Sequence, residues 1–141
     1  MDLENLYQEL IIDHGTEPRN HHALDNATCD AEGFNPLCGD KVHIYLHLEN
    51  QVIADISFIG KGCAISTASA SIMTEVLKGK TLAQANVLFK EFQHLLTSED
   101  PAPDDLGKLA ALSGVRKFPS RVKCATLAWH TMQEALKKEP K

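Results

Sequence analysis

Val42-His43-Ile44-Tyr45-Leu46-His47-Leu48-Glu49 alternates apolar and polar residues one by one, and Val52 to Ile59 follows after Asn50-Gln51. A period of two is the signature of strands with one buried face, so the two runs predict a hairpin turning at Asn50-Gln51. A shorter strand around 27–33 is expected alongside it. Upstream, Leu3, Leu6, Tyr7, Leu10 and Ile11 recur at helical spacing from Asp2 to Asp13. Asp2 is placed to cap that helix, and Gly15 with Pro18 to end it. Downstream the period changes again. Ile65, Ala68, Ile72, Met73, Val76 and Leu77 share a helical face that Gly79 closes. Thr81 and Gln84 predict a capping box for a helix over 82–96. Pro101-Ala102-Pro103 breaks the chain before a short helix carrying Leu106, Leu109 and Leu112, which Gly114 is expected to stop. A last helix is expected from Cys124 to about Lys138. The order is that of an α+β fold: a small antiparallel sheet of about three strands, an N-terminal helix and several C-terminal helices. No boundary interrupts residues 1–141, which read as a single domain.

The chain has 141 residues, 43% hydrophobic and only 6% aromatic, so its core is expected from Leu, Ile, Val and Ala. A domain of this size buries roughly 68% of the surface its unfolded chain exposes, so it does not need disulfide staples. Fourteen Lys and Arg stand against nineteen Asp and Glu, a formal charge of −5. With no basic stripe, nucleic acid is not an expected partner, because phosphate binding draws on clustered positive charge. Met1-Asp2-Leu3-Glu4 lacks the basic and apolar regions of a secretory signal. The longest uncharged run, 62–74, is 13 residues and rich in Ser and Thr, too short and polar to span a bilayer. These features predict a cytoplasmic protein with no membrane partner, whose cysteines are thiols.

Three of the four cysteines fall at expected element ends. Cys38 lies in Asn35-Pro36-Leu37-Cys38-Gly39-Asp40, Cys63 between the second hairpin strand and a helix, and Cys124 at the expected start of the last helix. Helix N-termini favour thiolates, and the flanking Gly39, Gly60 and Gly62 leave the sulfurs uncovered. Thiolates serve equally as metal ligands and as nucleophiles, and a buried free Cys is commonly just a small hydrophobe. Cys29, inside a strand, reads as ordinary. Cys38, Asp40, Cys63 and Cys124 together supply the ligand count of a tetrahedral zinc site. Their negative charge would outweigh that of a divalent cation. Arg121, Lys123 and Lys61 are placed to offset the excess, although basic residues are more commonly plain solvated surface. His43 and His47 lie about 13 Å apart on one strand face, too far to share an ion. His21-His22 lack partners, and Trp129 reads as packing.

Asn35-Pro36-x-Cys38-Gly39-Asp40, Gly60-x-Gly62-Cys63-x-Ile65-Ser66-x-Ala68-Ser69 and Phe118-Pro119-x-Arg121-x-Lys123-Cys124-Ala125-x-Leu127 resemble the IscU/NifU-like iron–sulfur cluster assembly family. Asp13-His14 and Pro18-Arg19-Asn20 extend the resemblance over nearly the whole chain. It is closest to the SufU branch. Lys123 stands where the scaffold branch typically has His, and the stretch 99–117 looks like the insertion of SufU-type members.

The resemblance implies zinc held by Cys38, Asp40, Cys63 and Cys124. It implies a sulfur acceptor that takes persulfide sulfur, at a cysteine matching Cys38, from a SufS-type, pyridoxal-phosphate-dependent cysteine desulfurase. Arg121 and Lys123 are the expected helpers for the negative charge of that transfer. The alternative it implies is a scaffold on which iron or a [2Fe–2S] cluster is assembled on Cys38, Cys63 and Cys124. That cluster would be handed to downstream assembly proteins or apo-acceptors.

Overall fold

A computed structural model describes residues 3–138. The chain runs through α1 (Leu3–Thr16), β1 (Cys29–Asn35), β2 (Asp40–Glu49), β3 (Val52–Lys61), α2 (Ala64–Leu77), α3 (Leu82–Thr97), a 3₁₀ segment (Asp104–Lys117) and α4 (Pro119–Lys137). The three strands form one antiparallel sheet in the order β1-β2-β3. This is the expected α+β arrangement. The proposed cap at Asp2 lies outside the described residues.

Alternation along β2 works as the sequence implies. Val42, Ile44 and Leu46 are buried and pair across to Gly60, Phe58 and Ile56 of β3. They form one layer of a core whose other layer comes from the helices. Trp129 of α4 is fully buried there, with Phe92 at a ring distance of 5.0 Å and Phe89 at 5.9 Å. The hairpin turn uses Asn50 at φ 52 and Gln51 at φ 67, the two left-handed residues of a type I′ connection. α4 crosses the sheet at Gly33, where a Cβ would fall 1.9 Å from Thr131 Oγ1. Only glycine permits this close approach, which brings the start of α4 to the tip of the β1–β2 hairpin.

Three expectations need correction. α1 does not stop at Gly15 but continues to Thr16, because Gly15 packs against Ala64 at the start of α2. The segment after Pro103 is a kinked run of 3₁₀ turns and extends past Gly114 to Lys117. Leu106, Leu109, Leu112 and Val115, all buried, recur every three residues, which matches three residues per turn. The last helix begins at Pro119, five residues before Cys124. Proline is preorganised for the first helical position, and the N-cap Phe118 carries no capping side chain to announce it. The inward face of α4 buries Cys124, Ala125, Ala128, Trp129, Met132 and Ala135, with Leu127 and Leu136 half-buried. The capping box at Thr81 and Gln84 forms as expected, with both reciprocal bonds present.

Asp13-His14 and Pro18-Arg19-Asn20 bolt α1 to the body. His14, fully buried, lies 2.6 Å through Nδ1 from Ser71 Oγ of α2. The Arg19 N–H donates to the same hydroxyl at 2.8 Å, and its guanidinium pairs with Asp13 at 2.6 Å. The Asn20 amide donates to Thr74 Oγ1, and its carbonyl accepts from the Phe58 N–H of β3. These residues hold elements together and lie away from the sulfurs.

Candidate metal centre

Antiparallel pairing decides where the candidate ligands meet. Asn35 and Asp40 are the last pair of the β1–β2 ladder, so Pro36 to Gly39 is the loop that closes it. Lys41 pairs with Lys61, which sets the end of β3, and therefore Cys63, beside Asp40. α4 passes over the same sheet end and brings Cys124 in from above. Ser69 of α2 donates to the Ala125 carbonyl, which fixes the two cysteine-bearing helices relative to each other.

Ligand atoms of Cys38, Asp40 and Cys124 lie within 4.8 Å of one another. The Cys38 and Cys124 sulfurs are 3.2 Å apart. Cys63 stands at the edge of this group. Its sulfur is 3.9 Å from Asp40 Oδ2, and its backbone N–H donates to Asp40 Oδ1 at 2.9 Å. Asp40 is buried in a cradle shaped by Gly62, where a Cβ would sit 2.4 Å from Asp40 Oδ1. Any side chain at 62 would push the carboxylate out of the site. Cys38 is exposed, Cys63 half-buried and Cys124 buried.

Cys63 is the N-cap of α2 and makes no side-chain cap bond; its sulfur turns to Asp40 instead. Cys124 lies in the second turn of α4 rather than at its start, so the helix N-terminus does little for it. Burial pushes the Cys124 thiol well above its ordinary range, and hydrogen bonds with Cys38, Asp40 and Cys63 push in the same direction. Four soft or anionic donors converging in a partly dry site cannot all ionise by themselves. A cation reverses that balance, because it deprotonates coordinating thiols outright. Cys38, Asp40 and Cys124, in mutual reach with Cys63 at their edge, could therefore hold a metal ion.

The Arg121 guanidinium faces both sulfurs of the helices. Its pKa is raised first by the charge of Cys63, then by that of Cys124 and a hydrogen bond to it. Lys123 is exposed and forms no ion pair among the described residues. Sequence reasoning missed Asn35. Its Oδ1 accepts from the Leu37 N–H at 3.2 Å, and its amide donates towards the Cys124 sulfur at 3.9 Å. Asn35, the last residue of β1, thus braces the Cys38 loop against α4. His43 and His47 remain on the outer face of the sheet, and Cys29 is buried at the far end of β1.

The NifU-like N terminal domain model matches residues 6–138. The chain is 40% identical over 139 residues to the zinc-dependent sulfurtransferase SufU of Bacillus subtilis (strain 168), covering 98% of this chain and 94% of that protein. It is also 40% identical over 137 residues to the iron-sulfur cluster assembly scaffold protein IscU of Streptococcus pyogenes serotype M1, covering 96% of this chain and 86% of that one. A crystal structure described as an iron-sulfur cluster assembly scaffold protein for the SUF system, from Fervidobacterium islandicum AW-1, superposes with a TM-score of 0.87 at 34% identity. It covers 96% of this chain and 99% of that one. With fold, motif order and sequence in agreement over almost its whole length, the chain belongs to the family of NifU-like N-terminal domains that includes IscU and SufU.

Proposed function

We propose that this protein acts in iron–sulfur cluster assembly as a zinc-dependent sulfur acceptor, with Cys38, Asp40, Cys63 and Cys124 as the metal ligands and Cys38 as the residue that receives sulfur. The observation that carries the reading is the convergence of Cys38, Asp40 and Cys124 within 4.8 Å, with Cys63 hydrogen-bonded to the same carboxylate. The sulfur donor would be the persulfide of a SufS-type cysteine desulfurase, and the reaction would take place in the cytoplasm.

Zinc, when bound, would hold the cysteines as thiolates at neutral pH and fix their positions. Cys38 is the accessible sulfur of the group and sits on a loop, so it can meet a partner's persulfide. Its thiolate attacks the outer sulfur, a new S–S bond forms on Cys38, and the donor's cysteine leaves as a thiolate. Arg121 faces the sulfurs and stabilises negative charge as it develops, since a guanidinium offers several N–H donors in one plane. Lys123 sits on the exposed side of the same helix start and adds positive potential without a fixed contact.

A second reading, assembly of a [2Fe–2S] cluster on the three cysteines for transfer to apo-acceptors, is favoured by the equal identity to the streptococcal scaffold protein. Colour and metal content of protein purified without oxygen separate the two. Stoichiometric zinc in a colourless sample supports sulfur transfer, and iron with sulfide in a brown one supports the scaffold. The functional test is cysteine desulfuration by a SufS-type enzyme with and without this protein. The proposal expects turnover to rise with the protein present, and an unchanged rate would refute it.

A further inference from the structure

The Cys38 and Cys124 sulfurs lie 3.2 Å apart, one exposed and the other buried behind it. A disulfide requires about 2.05 Å, so closing this pair takes a shift of roughly 1 Å, well within the movement of a short loop. The other cysteines are placed less well. Cys63 turns its sulfur towards Asp40. Cys29 pairs with Leu46, six residues along β1 from the ladder end at Asn35. That spacing puts it roughly 20 Å from the cluster.

We infer that Cys38 and Cys124 form a reversible disulfide under peroxide, making the centre a site of oxidative modification. The step balances in two stages. The Cys38 thiolate attacks the peroxide O–O bond, giving a sulfenic acid and releasing an alkoxide or hydroxide that takes up a proton. The Cys124 sulfur then attacks Cys38, the S–S bond forms, and the hydroxyl leaves as hydroxide, which takes up a proton from water. Two thiols are oxidised by two electrons and one peroxide is reduced. Only the exposed sulfur meets the oxidant, and the buried one resolves it before further oxygen is added. The bond would also remove two of the four donors. Asp40 and Cys63 remain, too few to hold a tetrahedral ion, so metal leaves as the disulfide forms. This consequence rests on the metal reading above, whereas the pairing of the two sulfurs does not.

The test uses the full chain as purified, treated with hydrogen peroxide, quenched with an alkylating reagent and mapped without reduction, while a chelating dye reads released zinc. The expected result is a cross-linked pair of peptides carrying Cys38 and Cys124, two hydrogens lighter than the separate peptides. It should appear in step with zinc release and be reversed by a dithiol. C29S should behave as the unsubstituted chain does. A cross-link through Cys63 instead, or sulfinic acid on Cys38 without a cross-link, overturns the inference. A Cys38–Cys124 bond formed while zinc stays bound overturns the coupling to metal loss. Absence of zinc from untreated protein refutes the metal reading alone, and the peptide map still decides the pairing.

Discussion

Each of the four ligand candidates is tied to a different piece of backbone, so single substitutions probe the centre residue by residue. Cys38→Ser, Cys63→Ser and Cys124→Ser should each lose most of the bound zinc, and with it the stability that binding adds. At a free-metal level a thousand times the dissociation constant, that addition is about 4 kcal/mol. Cys29→Ser should keep zinc, because its sulfur lies at the other end of β1. Metal analysis with denaturant melts checks the set, and equal metal loss in C29S would show the ligand assignment to be wrong. Gly62→Ala probes the cradle without substituting a ligand. Its Cβ would press on Asp40 Oδ1 at 2.4 Å, displacing the carboxylate from the Cys63 N–H. Overpacking of this kind typically costs about 1–3 kcal/mol, and zinc occupancy should fall with it. Normal occupancy in G62A would mean that Asp40 is not held where the metal needs it.

At the scale of elements, α1 is docked through a buried histidine, which gives the fold a pH dependence. His14 is packed against α2, with Nδ1 at Ser71 and Nε2 3.4 Å from Glu75 outside hydrogen-bond geometry. Burial lowers its pKa below the usual 6.5, and Arg19 and Lys108 add to the lowering against the opposing charges of Glu75 and Asp13. The unfolded chain therefore binds a proton near pH 6.5 that the folded chain resists, so stability rises with pH through this range. The contribution is present above pH 6.5 and is lost as pH falls through the lowered folded value. Urea midpoints should drop between about pH 7 and pH 5, and His14→Asn should flatten that drop. An unchanged slope in H14N would remove His14 as its source. Elements also differ in how far they were legible. The hairpin could be read because alternation, β-branched residues and a two-residue turn agreed, although Asn50-Gln51 lacks the glycine such turns prefer. The start of α4 was hidden because Phe118 offers no capping oxygen, and the 3₁₀ segment because its three-residue spacing overlaps the helical pattern. The site residues were legible as a set through their flanking motifs. Asn35 was not, because its work is bracing a loop against a helix distant in sequence.

For the molecule as a whole, the sheet end gathers what the sequence scatters over 87 positions: a hairpin loop, the end of β3, the N-terminus of α2 and the second turn of α4. The same end carries Lys41, paired with Glu32, and Lys61, Arg121 and Lys123, which bring positive charge beside the sulfur group in a chain of net charge −5. No helix among the described residues is long and apolar enough to cross a membrane. Cys38 is the exposed member of the sulfur group, and the proposed function requires it to be the acceptor. Peptide mass analysis after a single turnover with a SufS-type desulfurase and cysteine tests this directly. One added sulfur is expected on the peptide carrying Cys38, with Cys63 and Cys124 unmodified; an added sulfur on Cys63 or Cys124 and none on Cys38 would refute Cys38 as the acceptor.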